Sequence, residues 1–414
     1  MTLFVSGKTD KNPLSYRCGE KMQFTLTLTD GYSTVPCAWF QWHIRGDDGQ
    51  VSDGSSPGDT GICRIETSIS TPGFVEVTAQ AFNWLGEPLG ECAPFNGGAG
   101  AEVEALTPGV AEPEDFDTFW QGVQDTLAGI TPRTLEMVEI PATNEACRVY
   151  DVKVYAGEPE ALGGTPENRF GIAASGYVSI PKGVDEGKTY PIWMHFMGYS
   201  FTGATPAENG DAIVCLFNPH GLPNGRPQEE YDRLAAETVG TFGFRNEHNR
   251  RPEDVYFKGM IMRNVLAVRW AQTISGWNGK DLVLHGGSMG AFQATSATAL
   301  SPEVTELRID IPWMCDLGGV TQGRMRGWLP EVEEKGEPIM GIRYYDTTSF
   351  AARVTCPVYL SAGLGDYCCP PSTGAVLYNR ITAPKRMEWR QNRTHGYTAP
   401  DAEPYIWEEK MTDK

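Results

Sequence analysis

Gly286-Gly287-Ser288-Met289-Gly290 fits the pattern Gly-x-Ser-x-Gly. At that spacing a serine hydroxyl can be raised on a sharp turn between a strand and a helix. Small residues are needed because the two elements pass close together there. The pattern alone is a weak signal in a chain with 47 glycines, so its flanks carry the argument. The apolar run Asp281-Leu282-Val283-Leu284-His285 leads into it, and a small-residue segment starting at Ala291 leads out. Strand, turn and helix in that order make Ser288 the candidate nucleophile, at a helix N-terminus that favours developing negative charge.

A serine hydroxyl is a poor nucleophile without a base. In a strand-turn-helix setting of this kind the acid and then the histidine follow the serine along the chain. Of the six histidines, His43, His195, His220, His248, His285 and His395, only His395 lies beyond Ser288. Its surroundings, Arg393-Thr394-His395-Gly396, read as a polar loop suited to a general base. Asp366 is the candidate acid. Cys356 to Ala362 reads as a buried strand, and Gly363-Leu364-Gly365-Asp366 as a glycine-rich loop at its end. Asp316 also follows an apolar strand, but one strand earlier than the usual acid position.

Acyl transfer also needs donors for an oxyanion. The backbone N–H of Met289, next after the nucleophile, is one candidate. The second is the backbone N–H of Tyr199, because Trp193 to Tyr199 ends an early strand and Gly198 lets the backbone turn into the site. A packing role for Tyr199 is the alternative. A triad with a neutral histidine as base should lose activity on the acid side at about pH 6–7. The ten cysteines contain no Cys-x-x-Cys spacing, so no metal site is expected from them. Cys18, Cys37, Cys63 and Cys92 could pair among themselves, and buried free thiols are the reading for most of the ten.

These residues need a scaffold. With 414 residues, the chain is long enough for two domains. Residues 1–105 read as an all-β, immunoglobulin-like sandwich contributing no catalytic group. Met22 to Thr29 alternates Phe24, Leu26 and Leu28 with Thr25, Thr27 and Thr29, and Gly73 to Phe82 alternates again. Trp39, Trp42 and Trp84 there could stack on sugar rings, although core packing is the favoured reading. Gly97 to Ala105 reads as a linker. Residues 106–414 alternate strands with helices, which implies an α/β, doubly wound, mostly parallel sheet. Its expected strands include Cys147 to Tyr155, Tyr190 to Phe196, Ala212 to Phe217, Leu282 to His285, Arg308 to Pro312, Pro357 to Ala362 and Arg386 to Arg390. Its expected helices include Val255 to Thr273, Gly290 to Leu300 and Thr373 to Asn379.

The net charge of −19 argues against a nucleic-acid partner, since phosphate binding requires clustered Lys and Arg. No apolar run approaches a membrane span. Residues 1–8 lack the basic-then-apolar pattern of a leader, which places the chain in the cytoplasm, or outside it if a leader has been removed.

The stretch from about Glu112 to Thr398 resembles the acetyl xylan esterase and cephalosporin C deacetylase family, carbohydrate esterase family seven. The resemblance rests on Pro113-Glu114-Asp115-Phe116-Asp117-Thr118-Phe119-Trp120, Gly198-Tyr199, Pro252-Glu253-Asp254-Val255-Tyr256, Gly286 to Gly290 and Ile311 to Asp316. Most specific is Gly363-Leu364-Gly365-Asp366-Tyr367-Cys368-Cys369-Pro370-Pro371-Ser372-Thr373. The resemblance implies an α/β-hydrolase fold, removal of acetyl groups from sugar hydroxyls, an acetylated sugar or oligosaccharide as substrate, and no cofactor. It places Ser288, Asp366 and His395 on the family's triad, and the Tyr199 and Met289 amides on its oxyanion hole. It also implies a homo-oligomer. The chain departs from the family pattern in having Met289 for the usual Gln, and Met197 for the usual His before Gly-Tyr. Two other readings stay open: a broad small-ester hydrolase or peptidase on the same fold, and a glycan-binding protein with a vestigial esterase domain.

Overall fold

The computed structural model describes residues 3–155, 173–238, 246–329 and 332–411. In the N-terminal region two four-stranded sheets face each other. One contains strands Leu3–Thr9, Met22–Thr29, Ile62–Thr67 and Cys92–Ala93, and the other Trp39–Gly46, Val51–Pro57, Gly73–Phe82 and Phe95–Ala101. Alternation along each strand sends one set of side chains inward. Phe24, Leu26 and Leu28 from one sheet thus meet Phe40, Val75, Val77 and Phe95 from the other in a shared core. Trp39 stacks on Phe82 with ring centroids 5.4 Å apart. Trp84, expected in the core, is instead 77% exposed, because it lies in the turn beyond Phe82. Cys18, Cys37, Cys63 and Cys92 are free thiols, like the other six cysteines.

The expected linker is not one. Phe95–Ala101 pairs along its length with Gly73–Phe82, and its glycines serve close approach. A Cβ at Gly98 would lie 2.5 Å from the Val75 carbonyl oxygen and 2.7 Å from that of Leu364. Glycine here admits neighbouring backbone rather than supplying flexibility.

The second region is built on a ten-stranded sheet. Six neighbouring strands run parallel, in the spatial order Ile213–Phe217, Tyr190–Phe196, Trp277–Gly287, Glu306–Asp310, Val358–Gly363 and Lys385–Arg390. Antiparallel strands flank them: Pro404–Glu409 at one edge, and Ala173–Pro181, Cys147–Tyr155 and Arg133–Ile140 at the other. Arg133–Ile140 and Pro404–Glu409 escape a sequence reading because edge strands are exposed and lack a one-sided apolar pattern. Helices Tyr256–Ala271, Met289–Ala299 and Pro371–Arg380 contribute apolar side chains to a core shared with Met194, Leu284, Ile309, Leu360 and Met387 of the sheet. The alternate positions on these strands are polar. His195, His285, Arg308, Tyr359 and Arg386 line an open cavity of about 540 Å³. Among the described residues, no helix is long and apolar enough to cross a membrane.

The two regions share buried polar contacts. Asp47 accepts the backbone N–H of Phe74 within the sandwich at 2.8 Å and, across the boundary, that of Met325 at 2.9 Å. The Gln391 amide makes two 2.8 Å bonds with the Gly98 backbone, one in each direction. Phe74, Val103 and Leu106 belong to the core of the large sheet.

Candidate active site

Ser288 follows the strand Trp277–Gly287 and has φ 56° and ψ −122°, a conformation disfavoured for any residue with a Cβ. Close packing enforces it. A Cβ at Gly286 would lie 2.0 Å from the Gly290 carbonyl oxygen, and one at Gly290 would lie 2.1 Å from that of Phe196. Both positions of the Gly-x-Ser-x-Gly pattern therefore require glycine. The Ser288 N–H is tied to the Asp310 carbonyl at 3.0 Å. The Ser288 side chain makes no capping bond to the helix it precedes, which leaves Oγ available elsewhere.

Elsewhere is His395, whose Nε2 lies 3.1 Å from Ser288 Oγ. Its Nδ1 lies 3.0 Å from Asp366 Oδ2. Asp366 is 1% exposed, and its Oδ1 accepts the N–H groups of Cys368 and Cys369, each at 2.8 Å. Two loops from neighbouring parallel strands bring acid and base together. A Cβ at Gly363 would lie 2.0 Å from the Arg393 carbonyl oxygen, and the Gly365 N–H donates to that oxygen at 3.1 Å. Arg393 in turn grips the Asp310 carboxylate through both oxygens, at 2.7 and 2.6 Å.

The bond to Asp366, and then the Cys368 side chain, favour the protonated ring and raise His395 from the usual histidine range to about 10. Hydrogen bonding from Cys369, and then from His395, lowers the Cys368 thiol to about 5. The two side chains stabilise each other's charged forms. This differs from the ordinary histidine value expected from sequence, because chain order does not show Cys368 beside the His395 ring.

The remaining sequence candidates fall around this centre. Met289 opens the helix, where first-turn N–H groups lack intrahelical acceptors. Gly198 lies over the turn, and a Cβ there would be 3.8 Å from the Ser288 Cβ. Tyr199 follows, 44% exposed, its ring against Phe201 at 5.2 Å and Trp328 at 5.5 Å. Asp316 is elsewhere. It accepts the Gly109 N–H at 2.7 Å, pairs with Arg324 at 2.8 Å, and is pushed up to about 7 by burial. His195 and His285 stack on each other at 4.4 Å in the polar cavity, and burial pushes His285 down to about 3.

One residue went unnoticed in the sequence. Gln293 is fully buried and donates from Nε2 to the Met197 carbonyl at 2.9 Å. Its Oε1 accepts from Asn264 at 3.2 Å. It ties the Met197-Gly198-Tyr199 loop to the helix after Ser288. No local spacing marks it, because its partners Met197 and Asn264 are distant in sequence.

Residues 101–410 match the profile of the family described as acetyl xylan esterase (AXE1). The chain belongs to the acetyl xylan esterase family. The match begins at the end of the last sandwich strand, so nearly all of the N-terminal region lies outside it. Acetyl esterase Axe7A of Xylanibacter ruminicola is 28% identical over 298 residues, covering 69% of this chain. The chain spans 64% of that relative's length. Acetyl xylan esterase 1 from Thermoanaerobacterium sp. JW/SL YS485 superposes with a TM-score of 0.55 at 19% identity, covering 72% of this chain and 94% of that one. The acetyl xylan esterase from Paenibacillus sp. R4 gives 0.56 at 18% identity, with coverage of 72% and 94%. At these identities the structures share the α/β-hydrolase fold of this acetyl xylan esterase family member.

Proposed function

We propose that this chain is a serine esterase that removes acetyl groups from the hydroxyls of acetylated xylan or a related glycan. The observation that carries this reading is the chain of hydrogen bonds Ser288–His395–Asp366, on a strained strand-to-helix turn, in a member of the acetyl xylan esterase family.

The chemistry follows from the positions of the donors and acceptors. Neutral His395 keeps its proton on Nδ1, where Asp366 accepts it, and presents Nε2 to the Ser288 hydroxyl. As Oγ attacks the acetyl carbonyl, Nε2 takes the hydroxyl proton. The N–H groups of Met289 and Tyr199 receive the oxyanion. Collapse of the tetrahedral intermediate breaks the bond to the sugar oxygen, which takes the proton from His395 and leaves as a hydroxyl. Water then adds to the acetyl-serine with His395 again as base, releasing acetate and restoring Ser288. Asp366 stabilises the imidazolium at each stage. A homo-oligomer is part of the proposal, as is an accessory role for the sandwich of residues 1–105, which packs against the esterase region.

The test combines acetate release from acetylated xylan with active-site labelling. A fluorophosphonate should modify Ser288, and Ser288→Ala should lose both labelling and several orders of magnitude in turnover with its circular dichroism unchanged. Labelling of another serine, or undiminished acetate release by Ser288→Ala, would overturn the assignment.

A further inference from the structure

We propose that Cys368, Cys369 and His395 form a binding site for a thiophilic divalent cation such as Zn²⁺, and that filling it arrests the enzyme by withdrawing His395 from Ser288. The second half rests on His395 being the esterase base. The first half does not.

The ligand atoms of these three residues lie within 4.8 Å of one another. Zinc bonds of about 2.3 Å to sulfur and about 2.0 Å to imidazole nitrogen, set tetrahedrally, place ligand atoms about 3.5–3.8 Å apart. The ligand atoms need therefore approach by no more than about an ångström to close the site.

The backbone that carries the thiols is already fixed. Asp366 Oδ1 holds both cysteine N–H groups. The Cys368 carbonyl accepts the Trp328 N–H at 2.8 Å, an approach that Gly327 permits, since a Cβ there would lie 2.5 Å from that carbonyl oxygen. Pro370 and Pro371 restrain the chain beyond them. Cys369 is buried, whereas Cys368 and His395 are partly exposed, which gives an ion a route in past these two. Two thiolates and a neutral imidazole neutralise a dication, and three protein ligands leave the fourth position to water.

Both ring nitrogens of His395 are engaged, one with Asp366 and one with Ser288. An ion bonded to Nε2 displaces the serine, and one bonded to Nδ1 displaces the aspartate. Either leaves Ser288 without a working base. Ligation needs both thiols deprotonated and the imidazole neutral, so affinity should rise with pH.

The test uses the reduced, metal-free full chain titrated with Co²⁺. One equivalent should produce the near-ultraviolet thiolate-to-cobalt charge-transfer band, and Zn²⁺ should bleach it by displacement. In parallel, p-nitrophenyl acetate hydrolysis is followed against Zn²⁺, each protein scaled to its own metal-free rate. Cys368→Ala, at a partly exposed position, should lose the band and raise the half-inhibiting Zn²⁺ concentration at least about tenfold. A chelator should restore the wild-type rate. A wild-type protein with no thiolate band at millimolar Co²⁺, or a Cys368→Ala protein that binds and is inhibited like the wild type, would overturn the site. A protein with the band but no acetyl-ester activity would support the site while sinking the esterase reading.

Discussion

Asp366 divides its carboxylate between base and loop: Oδ2 is 3.0 Å from His395 Nδ1, while Oδ1 holds the N–H groups of Cys368 and Cys369. The group that orients the imidazole is thus itself fixed by its own loop. Asp366→Asn should lower kcat by about 10⁴, the usual effect of losing the orienting carboxylate. Asp316→Asn should leave kcat within about tenfold, since its partners are Gly109 and Arg324. Steady-state kinetics on p-nitrophenyl acetate check both. The reverse ranking would exchange the two aspartates.

The pH profile should be displaced. His395 acts as a base only when neutral, and Asp366 and Cys368 both favour its charged form. The acid limb of kcat/KM should therefore lie above the ordinary histidine value of about 6.5, with activity rising as pH rises through the shifted pKa. Cys368→Ala removes one of the two favouring contacts, so its limb should move to lower pH. Superimposable limbs near pH 6.5 in both proteins would refute the coupling.

Gln293 should act as a positioning residue. Gln293→Met keeps side-chain length but loses the bond to the Met197 carbonyl, which loosens the loop carrying Tyr199, the proposed second oxyanion donor. Removing an oxyanion donor outright costs about 10²–10³ in kcat, and displacing one should cost about tenfold to a hundredfold. KM should change little, because the lost interaction belongs to the transition state. A rise in KM at constant kcat would assign Gln293 to substrate binding instead.

Asp47→Ala should report on the contact between the sandwich and the large sheet. It leaves the Phe74 and Met325 N–H groups without their acceptor, at a cost of about 1–3 kcal/mol for each. Urea denaturation should show a lower midpoint. For the same reason a fragment starting at Leu106 should be much less stable than the whole chain, since it loses Phe74 and Val103 from the core of the large sheet. An unshifted midpoint for Asp47→Ala would show that the Asp47 contacts add nothing to stability.

The sequence by itself determined what depends on neighbours along the chain. Gly286, Ser288 and Gly290 specify the turn by their spacing, and a Cβ at Gly286 would strike the Gly290 carbonyl oxygen. The alternation of Met22–Thr29, and the apolar runs of the parallel strands, specify their faces through the period of the strand. His395 stood out by chain order. The tertiary structure decided what depends on sheet order and on contact between distant loops. Val358–Gly363 lies between Glu306–Asp310 and Lys385–Arg390, and this brings Asp366 rather than Asp316 to His395. Pairing also turns Gly97 to Ala101 from an apparent linker into a core strand. Gln293, the Cys368 thiol beside the base and the Asp47 contact join residues far apart in sequence. No local spacing encodes them, because they exist only once strand register and loop packing have brought those side chains together.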